Sequence, residues 1–371
     1  MHQRIKYFFS IIILISINAN SQVETKQFVY ALKVHSGFVL PHSIYTKNTK
    51  GARPFGFEVD IAHIDTSRQV YNTYRCFPRS GITLNYADMD YGFLGNSFCA
   101  AYFLEPNFRI NKRTTLRVNG TIGLSYLTNP FDSIKNPDNQ NYSLAISALL
   151  KVGVGLSYSV SPHTSLQLSG NWYHNSNGGF KQPNRGLNYP NISLGVLYFK
   201  DQNTLPVYNQ LQDTGWKKLP VSWEGGVFIS PKGGYDKNVK QVRKFLGGLN
   251  VQVGKQIAAI HKLTTGAEIY FDGGMQSIKR NLINDSSSNI LAGLLIGHEF
   301  LINKFSFSQQ LGFYVFKETD KYNEVYADIY KTIYHRWGIK YQLKPHWAIG
   351  INLLVHNQVA DFIDARFFYK L

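Results

Sequence analysis

The 371-residue sequence predicts an all-β protein built as an antiparallel transmembrane β-barrel. After residue 25, the chain consists of runs with two-residue alternation. Each run is about ten residues long with aromatic residues near its ends, the pattern of membrane-barrel strands. Charged residues make up 17% and aromatic residues 15%, whereas ordinary soluble domains have about 25% charged residues. No apolar run after the N-terminus reaches the length of about 18 residues that a helical span needs.

The first 21 residues are predicted to be a signal peptide. Arg4 and Lys6 form a positive region, residues 7–17 are apolar, and Ala19-Asn20-Ser21 fits a cleavage site. A signal peptide followed by barrel strands predicts a location in the cell outer membrane.

The formal net charge of +16 is that of a strongly basic protein. For a secreted barrel, the expected partner is an anionic membrane surface. Nucleic acid is not expected, because the sequence has neither an aromatic RNA-binding motif nor a basic helix. The two cysteines, Cys76 and Cys99, leave one disulfide pairing open.

The alternation also indicates how the chain is divided. In the run from Leu116 to Tyr126, the even positions carry apolar residues or glycine and the odd positions are mainly polar. Eight such runs lie between residues 27 and 200, and eight more lie between 221 and 371. We therefore predict a barrel over 22–200, a linker over 201–220 and a second eight-stranded half over 221–371. One sixteen-stranded barrel, which could enclose a pore, is the alternative.

One segment combines side chains that could perform chemistry. Leu166 and Trp172 share a face of one strand, and parity places His174 and Ser176 on the same lipid-facing side. Asn188 has the parity of the apolar residues on the next strand. Polar groups facing lipid are costly and usually functional. A serine nucleophile needs a base, and the base needs a partner that fixes its tautomer. The set fits a serine hydrolase, and an ordinary polar loop is the alternative.

The run around these residues resembles a known family. The pattern His174-x-Ser176-Asn177-x-Gly179-x-Lys181-Gln182-Pro183-Asn184-x-Gly186 is similar to the active-site strand and loop of the outer-membrane lipid A 3-O-deacylases (PagL type). The segment Tyr74 to Tyr86, with Phe77-Pro78-x-x-Gly81, resembles larger members known as acyloxyacyl hydrolases. The resemblance covers residues 27–200.

The resemblance implies a role for each matched residue. His174 would be the general base and Ser176 the nucleophile on a fatty-acyl ester of lipid A in the outer leaflet. The oxyanion would be held by the following groups: Asn177, Asn184 and the backbone N–H groups near Gly178 and Gly179. Apart from the resemblance, Lys181 and Arg185 lie beside this site in the sequence, where the phosphates of the lipid A head group are expected to approach. No cofactor and no metal ion are expected.

At one position the sequence departs from the family pattern. The deacylases carry a glutamate fourteen residues after the histidine, where this chain has Asn188. A neutral partner stabilises an imidazolium less than a carboxylate does. Asparagine at this spacing also resembles the triad of outer-membrane phospholipase A, but residues 178–185 do not match that enzyme's calcium-binding loop. Phospholipid hydrolysis is therefore the second hypothesis.

The second half is predicted to be non-catalytic. The apolar face that begins at Trp347 turns His356 inward, and Gln358 stands in place of the serine. This half would be structural or a partner for the first half. A non-enzymatic adhesive barrel and a pore remain alternatives for the whole chain, and a homodimer stays open.

Overall fold

The structure is a computed structural model that describes residues 26–371 except 179, 202, 204, 209–214, 239, 283, 285, 287–288, 318–331 and 357–358. The predicted signal peptide at 1–21 lies outside the described residues. The strands form two separate closed antiparallel barrels. This confirms the predicted pair of eight-stranded units, and the single sixteen-stranded barrel is not adopted. Within the described part of the chain, every helix is too short or too polar to cross a membrane.

The first barrel contains eight strand positions. Its strands are β1 (Lys26–Gly37), β2 (Phe55–Asp65), β3 (Arg79–Asp88), β4 (Asn96–Glu105), β5 (Asn107–Arg109), β6 (Thr114–Leu127), β7 (Ile146–Ser159), β8 (Thr164–Ser176) and β9 (Leu187–Phe199). The short β5 continues β4 along β6, so the two share one position in the ring. The helix α1 (Arg68–Tyr74) connects β2 to β3, and a 3₁₀ helix (Ile44–Thr49) lies between β1 and β2.

The second barrel also has eight strands. They are β10 (Ser222–Tyr235), β11 (Gln241–Ala258), β12 (His261–Asp272), β13 (Ile290–Ile302), β14 (Phe305–Lys317), β15 (Ile333–Lys344), β16 (Trp347–His356) and β17 (Val359–Lys370). A 3₁₀ helix (Gly215–Lys218) precedes it, and the helix α2 (Gly273–Leu282) follows β12. β10 and β11 pair from Ser222 opposite Gly254 to Tyr235 opposite Gln241, beyond their apolar alternation. Lys232 lies in this extension, where it faces the lumen and pairs with Asp272 and Asp361, both at 2.6 Å.

The outer wall of the first barrel is apolar along its whole circumference. On β1 the even-numbered Phe28, Leu32 and Val34 are exposed, while the odd-numbered Lys33 and His35 are buried in the lumen. Bilayer hydrocarbon offers no hydrogen bonds, so a closed ladder with this outer face is suited to a membrane. The connections 38–54, 128–145 and 177–186 lie at one end of the barrel. Longer loops of such barrels are extracellular.

The barrel closes where its first strand meets its last. β1 pairs with β9 from Val29 opposite Phe199 to Gly37 opposite Asn191. The ladder continues into the loop, because the Leu40 N–H donates to the Asn188 carbonyl at 2.9 Å. We call this pairing the closure seam. It brings together residues that lie at opposite ends of the first unit.

Buried ion pairs fill the lumen of the first barrel. The charged residues involved are Lys33, Glu58, Asp60, Arg79, Glu105, Arg117 and Lys151. The cavity beside Lys33, Glu105 and Lys151 has a volume of ≈ 10 Å³, roughly the space of one water molecule. A comparable network centred on Arg336 and Glu268 fills the second barrel. The interiors are packed cores.

The packed lumens lead to a transport prediction. We expect liposomes that contain the protein to swell in an arabinose gradient no faster than empty liposomes, because the described side chains of both lumens are packed around buried ion pairs. The control is a general porin reconstituted at the same protein-to-lipid ratio. Swelling at a porin-like rate would contradict the packed interiors.

Both cysteines are free thiols. Cys99 lies in the lumen on β4, where its Sγ contacts the Ser125 hydroxyl at 3.0 Å, whereas Cys76 follows α1 at the opposite end of the barrel. Burial raises the pKa of the Cys76 thiol to about 11, and a protonated thiol is a poor nucleophile for disulfide exchange. The pairing that the sequence left open is not formed.

Candidate active site

Two neighbouring strands place the predicted side chains together at the loop end. His174 on β8 is directly opposite Asn188 on β9. On the same side of β8, Leu166 and Trp172 are exposed to the membrane, and His174 is half-buried. The outward parity expected from the sequence is therefore present on both strands. The polar groups lie on the outer wall of the barrel, at the level where the strands end.

The imidazole of His174 has one firm partner. Its Nδ1 is 2.6 Å from the Asn188 Oδ1. An amide oxygen can only accept, so Nδ1 carries the proton and Nε2 keeps its lone pair. Gly186 packs against the ring with φ +80°, and a Cβ atom there would come within 2.8 Å of the His174 Cε1. Only glycine combines that backbone conformation with this close approach.

The hydroxyl of Ser176 is held by the loop that follows it. Its Oγ accepts hydrogen bonds from the Asn184 Nδ2 at 2.9 Å and from the Gly178 N–H at 3.2 Å. Ser176 is 7% exposed. Its hydrogen bonds within the described residues are with the loop and not with His174, although both side chains lie on the outer side. The O–H proton is left available to an acceptor, and catalytic hydrogen bonds often tighten only when substrate binds.

The residues predicted to hold the oxyanion have different partners. The Gly178 N–H and the Asn184 amide both point at the Ser176 oxygen. Asn177 instead stabilises the loop. Its Nδ2 donates to the Ser143 Oγ and to the Lys181 carbonyl, and its backbone N–H donates to the Asn184 Oδ1. Gly179 lies outside the described residues. Two donors are thus concentrated beside the hydroxyl.

The two predicted basic residues lie on the rim of the site. The side chains of Lys181 and Arg185 are exposed. The Arg185 guanidinium stacks over the Tyr45 ring with 4.6 Å between the guanidinium carbon and the ring centroid. Both side chains are therefore open to the surroundings at the loop end of the barrel.

His42 belongs to the site and was missed in the sequence analysis. Its Nδ1 is 3.1 Å from the Asn188 Nδ2, and its Nε2 is 2.5 Å from the Arg185 carbonyl oxygen. His42 shares the even parity of the outward residues of β1 but lies beyond the end of that strand. Extending the closure seam by the same register to Leu40 and Asn188 would have placed it here.

The second barrel also reaches this loop. The Arg243 guanidinium lies over the Phe180 ring at 5.2 Å from its centroid. Gly178 has φ +63°, and a Cβ atom at that position would lie 2.7 Å from the Ile363 Cδ1. The loop that holds Ser176 is therefore in contact with β11 and β17.

The second barrel has no equivalent set among its described residues. His356 faces the lumen, where its Nε2 is 3.0 Å from the Tyr314 hydroxyl and its Nδ1 is 3.7 Å from the nearest Asp361 carboxylate oxygen. Gln358, predicted to replace the serine, lies outside the described residues. An inward histidine cannot reach a lipid at the outer wall.

Comparisons with known proteins agree with this architecture. Residues 57–197 match the family described as lipid A 3-O-deacylase (PagL), and residues 221–371 match that described as acyloxyacyl hydrolase, C-terminal domain. No curated protein matches the chain.

Among solved structures, the chain is similar to the outer membrane enzyme PagL, with 14% identity, a TM-score of 0.33, and coverage of 44% of this chain and 97% of that one. It is also similar to Neisserial surface protein A, with 14% identity, a TM-score of 0.31, and coverage of 46% and 96%. The two family matches follow each other in the order of the two barrels. The chain belongs to the PagL and acyloxyacyl hydrolase family of outer-membrane β-barrels.

Proposed function

We propose that this protein is an outer-membrane serine esterase that removes a fatty-acyl chain from lipid A by 3-O-deacylation of lipopolysaccharide. The observation that carries the proposal is the 2.6 Å hydrogen bond from His174 to Asn188 on the lipid-facing wall. His174 lies two residues before Ser176 on the same strand. A base with a fixed tautomer thus lies next to a hydroxyl at the membrane surface. The match of residues 57–197 to the deacylase family supports the choice of substrate.

The reaction follows from the proton positions. As the Ser176 Oγ attacks the acyl carbonyl carbon, the His174 Nε2 takes the hydroxyl proton. The oxygen of the tetrahedral intermediate is stabilised by the two donors that already face the serine, the Gly178 N–H and the Asn184 amide. Collapse breaks the ester bond and leaves the acyl group on Ser176, and the imidazolium gives its proton to the departing sugar oxygen, which leaves as a hydroxyl. Water then attacks the acyl-serine with His174 again as base, which releases a 3-hydroxy fatty acid and restores the enzyme.

Phospholipid hydrolysis is the second candidate. The amide of Asn188 in the position of the orienting group favours it, because the phospholipase A pattern also carries asparagine there. The chemistry on the ester is the same for both substrates. The two candidates differ in the alcohol that leaves, a sugar hydroxyl in one and a glycerol hydroxyl in the other.

A comparison of substrates tests the proposal. Purified protein in detergent would be given lipid A in one assay and phosphatidylethanolamine in another, with released fatty acids identified by mass spectrometry and Ser176→Ala as the inactive control. We expect a 3-hydroxy fatty acid from lipid A, and lipid A from cells that express the protein should lose the same mass. Release from phosphatidylethanolamine alone would favour the phospholipase. Release from neither substrate would leave an adhesive or structural barrel.

The basic rim should affect binding more than turnover. Each basic group near an anionic surface contributes about 1 kcal/mol, so Lys181→Gln combined with Arg185→Gln should raise KM for lipid A by up to about 30-fold with little change in kcat. The effect should shrink at high salt, where such attraction is screened. Lys112→Gln with Arg113→Gln, an identical charge change at the opposite end of the barrel, is the control. An unchanged KM would place the head group elsewhere.

A further inference from the structure

We propose that His42 is a positioning residue that sets the tautomer of His174 by fixing which way the Asn188 amide points. This inference rests on the proposed function and deepens it. A carboxylate in place of Asn188 could accept a hydrogen bond through either of its oxygens. An amide has one accepting end and one donating end, so it orients a base correctly only when something prevents it from rotating by 180°.

The orientation can be traced from a backbone carbonyl. The Arg185 carbonyl can only accept, and the His42 Nε2 lies 2.5 Å from it, so that nitrogen donates. In a neutral imidazole the Nδ1 of His42 is then an acceptor, and the group 3.1 Å away on Asn188 is the donating Nδ2. The other end of the amide, Oδ1, faces His174 at 2.6 Å. The chain of hydrogen bonds therefore has a single direction, which leaves the lone pair on the His174 Nε2.

Backbone contacts hold both ends of this chain. Leu40, two residues before His42, donates its N–H to the Asn188 carbonyl, and Ser43 caps the 3₁₀ helix that follows. Arg185 and Gly186 donate their N–H groups to the carbonyls of Gln140 and Asn141 at 3.2 and 2.8 Å. The Nδ1 of His42 is also 3.4 Å from the Leu40 carbonyl, which is too long to compete with the shorter contact to Asn188.

Two substitutions at His42 separate this role from a packing role. Glutamine retains an oxygen that can accept from the Asn188 amide, so His42→Gln should keep kcat within about threefold of the wild type. Lysine offers only donors. In His42→Lys the amide oxygen would turn toward residue 42, and the amide nitrogen would then oppose the His174 Nδ1. We expect a loss of about 100-fold in kcat, short of the ~10⁴-fold loss when a triad is locked in the wrong tautomer.

The decisive test is the same lysine substitution in a carboxylate background. The variants Asn188→Asp and Asn188→Asp/His42→Lys should have kcat values for lipid A within about threefold of each other, because a carboxylate accepts from both neighbours. Asn188→Glu, the residue of the deacylase pattern, serves as the second background if the aspartate variant does not insert as a folded barrel. An equal loss from His42→Lys in the asparagine and carboxylate backgrounds would overturn the proposal, as would a His42→Gln loss as large as that of lysine.

A spectroscopic measurement of the His174 tautomer tests the positioning role without relying on enzymatic activity. In ¹⁵N-histidine-labelled protein in micelles, with His174 assigned by comparison with His174→Ala, we expect an unprotonated Nε2 in the wild type. His42→Lys should shift the unprotonated nitrogen to Nδ1. An unchanged tautomer in His42→Lys would refute the positioning role even if the protein proved to act on a different lipid. A wild type that shows the expected tautomer but releases no fatty acid would refute only the proposed function.

Discussion

Removing the proposed nucleophile should abolish ester release. We expect Ser176→Ala to lower kcat for lipid A deacylation by about three to six orders of magnitude, the range found when a residue that acts as part of a catalytic unit is removed. His174→Ala should cost as much, because without the base the Ser176 hydroxyl stays protonated. The double variant should be no worse than either single one, since the residues act as one unit. The measurement is release of 3-hydroxy fatty acid by purified protein in detergent.

Ser169→Ala is the matched control for this prediction. Ser169 is on the same strand as Ser176, but it faces the lumen, where its hydroxyl contacts the Ser193 hydroxyl at 2.7 Å. Its loss should leave deacylation unchanged. Neither Ser176→Ala nor His174→Ala should alter the heat-modifiable migration of the folded barrel, because both side chains lie outside the packed core. Wild-type release by Ser176→Ala would refute the serine-hydrolase assignment.

The largest effect on stability is expected at Glu58. This carboxylate, 2% exposed, pairs with Lys33, accepts two hydrogen bonds from Lys151 at 2.8 and 2.7 Å, and accepts one from the Tyr173 hydroxyl at 2.6 Å. Removing one partner of a buried ion pair leaves an uncompensated charge and typically costs about 3–5 kcal/mol. Glu58→Gln should therefore lower the free energy of unfolding by about 3 kcal/mol, measured by urea unfolding in detergent micelles.

The double variant Glu58→Gln/Lys151→Met distinguishes charge from shape. The lumen network holds four cations and three carboxylates, and the double change removes one of each, so its net charge stays at +1. Replacing a buried pair with uncharged groups of similar volume is often nearly neutral. We expect the double variant to recover most of the lost stability. A double variant as unstable as Glu58→Gln would show that packing around the carboxylate, and not its charge, is what matters.

Two-residue alternation was enough to predict the strands and their faces. Leu166 and Trp172 predict the outward side of β8, and both are exposed. That side includes His174, because every second side chain of a strand points to the same face. The opposition of His174 and Asn188 depends on the turn between β8 and β9, yet parity alone already placed both on the outer wall. The upper parts of β10 and β11 were less predictable, since Lys232 faces the lumen in a stretch without apolar alternation.

The rest of the site depends on contacts that alternation cannot reveal. His42 lies in an irregular loop, and it meets Asn188 only because the barrel closes between β1 and β9. The hydrogen bonds of Ser176 with Asn184 and Gly178 are made within the loop after β8, where side-chain direction follows no period. The Phe180 contact with Arg243 joins two barrels whose separate alternation carries no information about each other.

The closure seam links the proposed chemistry to the closing of the barrel. His42 follows β1 and Asn188 lies near the start of β9, so their contact spans 146 residues along the chain. Long-range pairings of this kind form late, because the intervening chain must first be ordered. A partly assembled barrel could already hold His174 and Asn188 on neighbouring strands while the Asn188 amide remained free to rotate. The barrel would then become able to hydrolyse esters only when β1 pairs with β9. Until that point, His174 would lack the fixed tautomer of a general base, and surrounding lipids would not be hydrolysed during insertion.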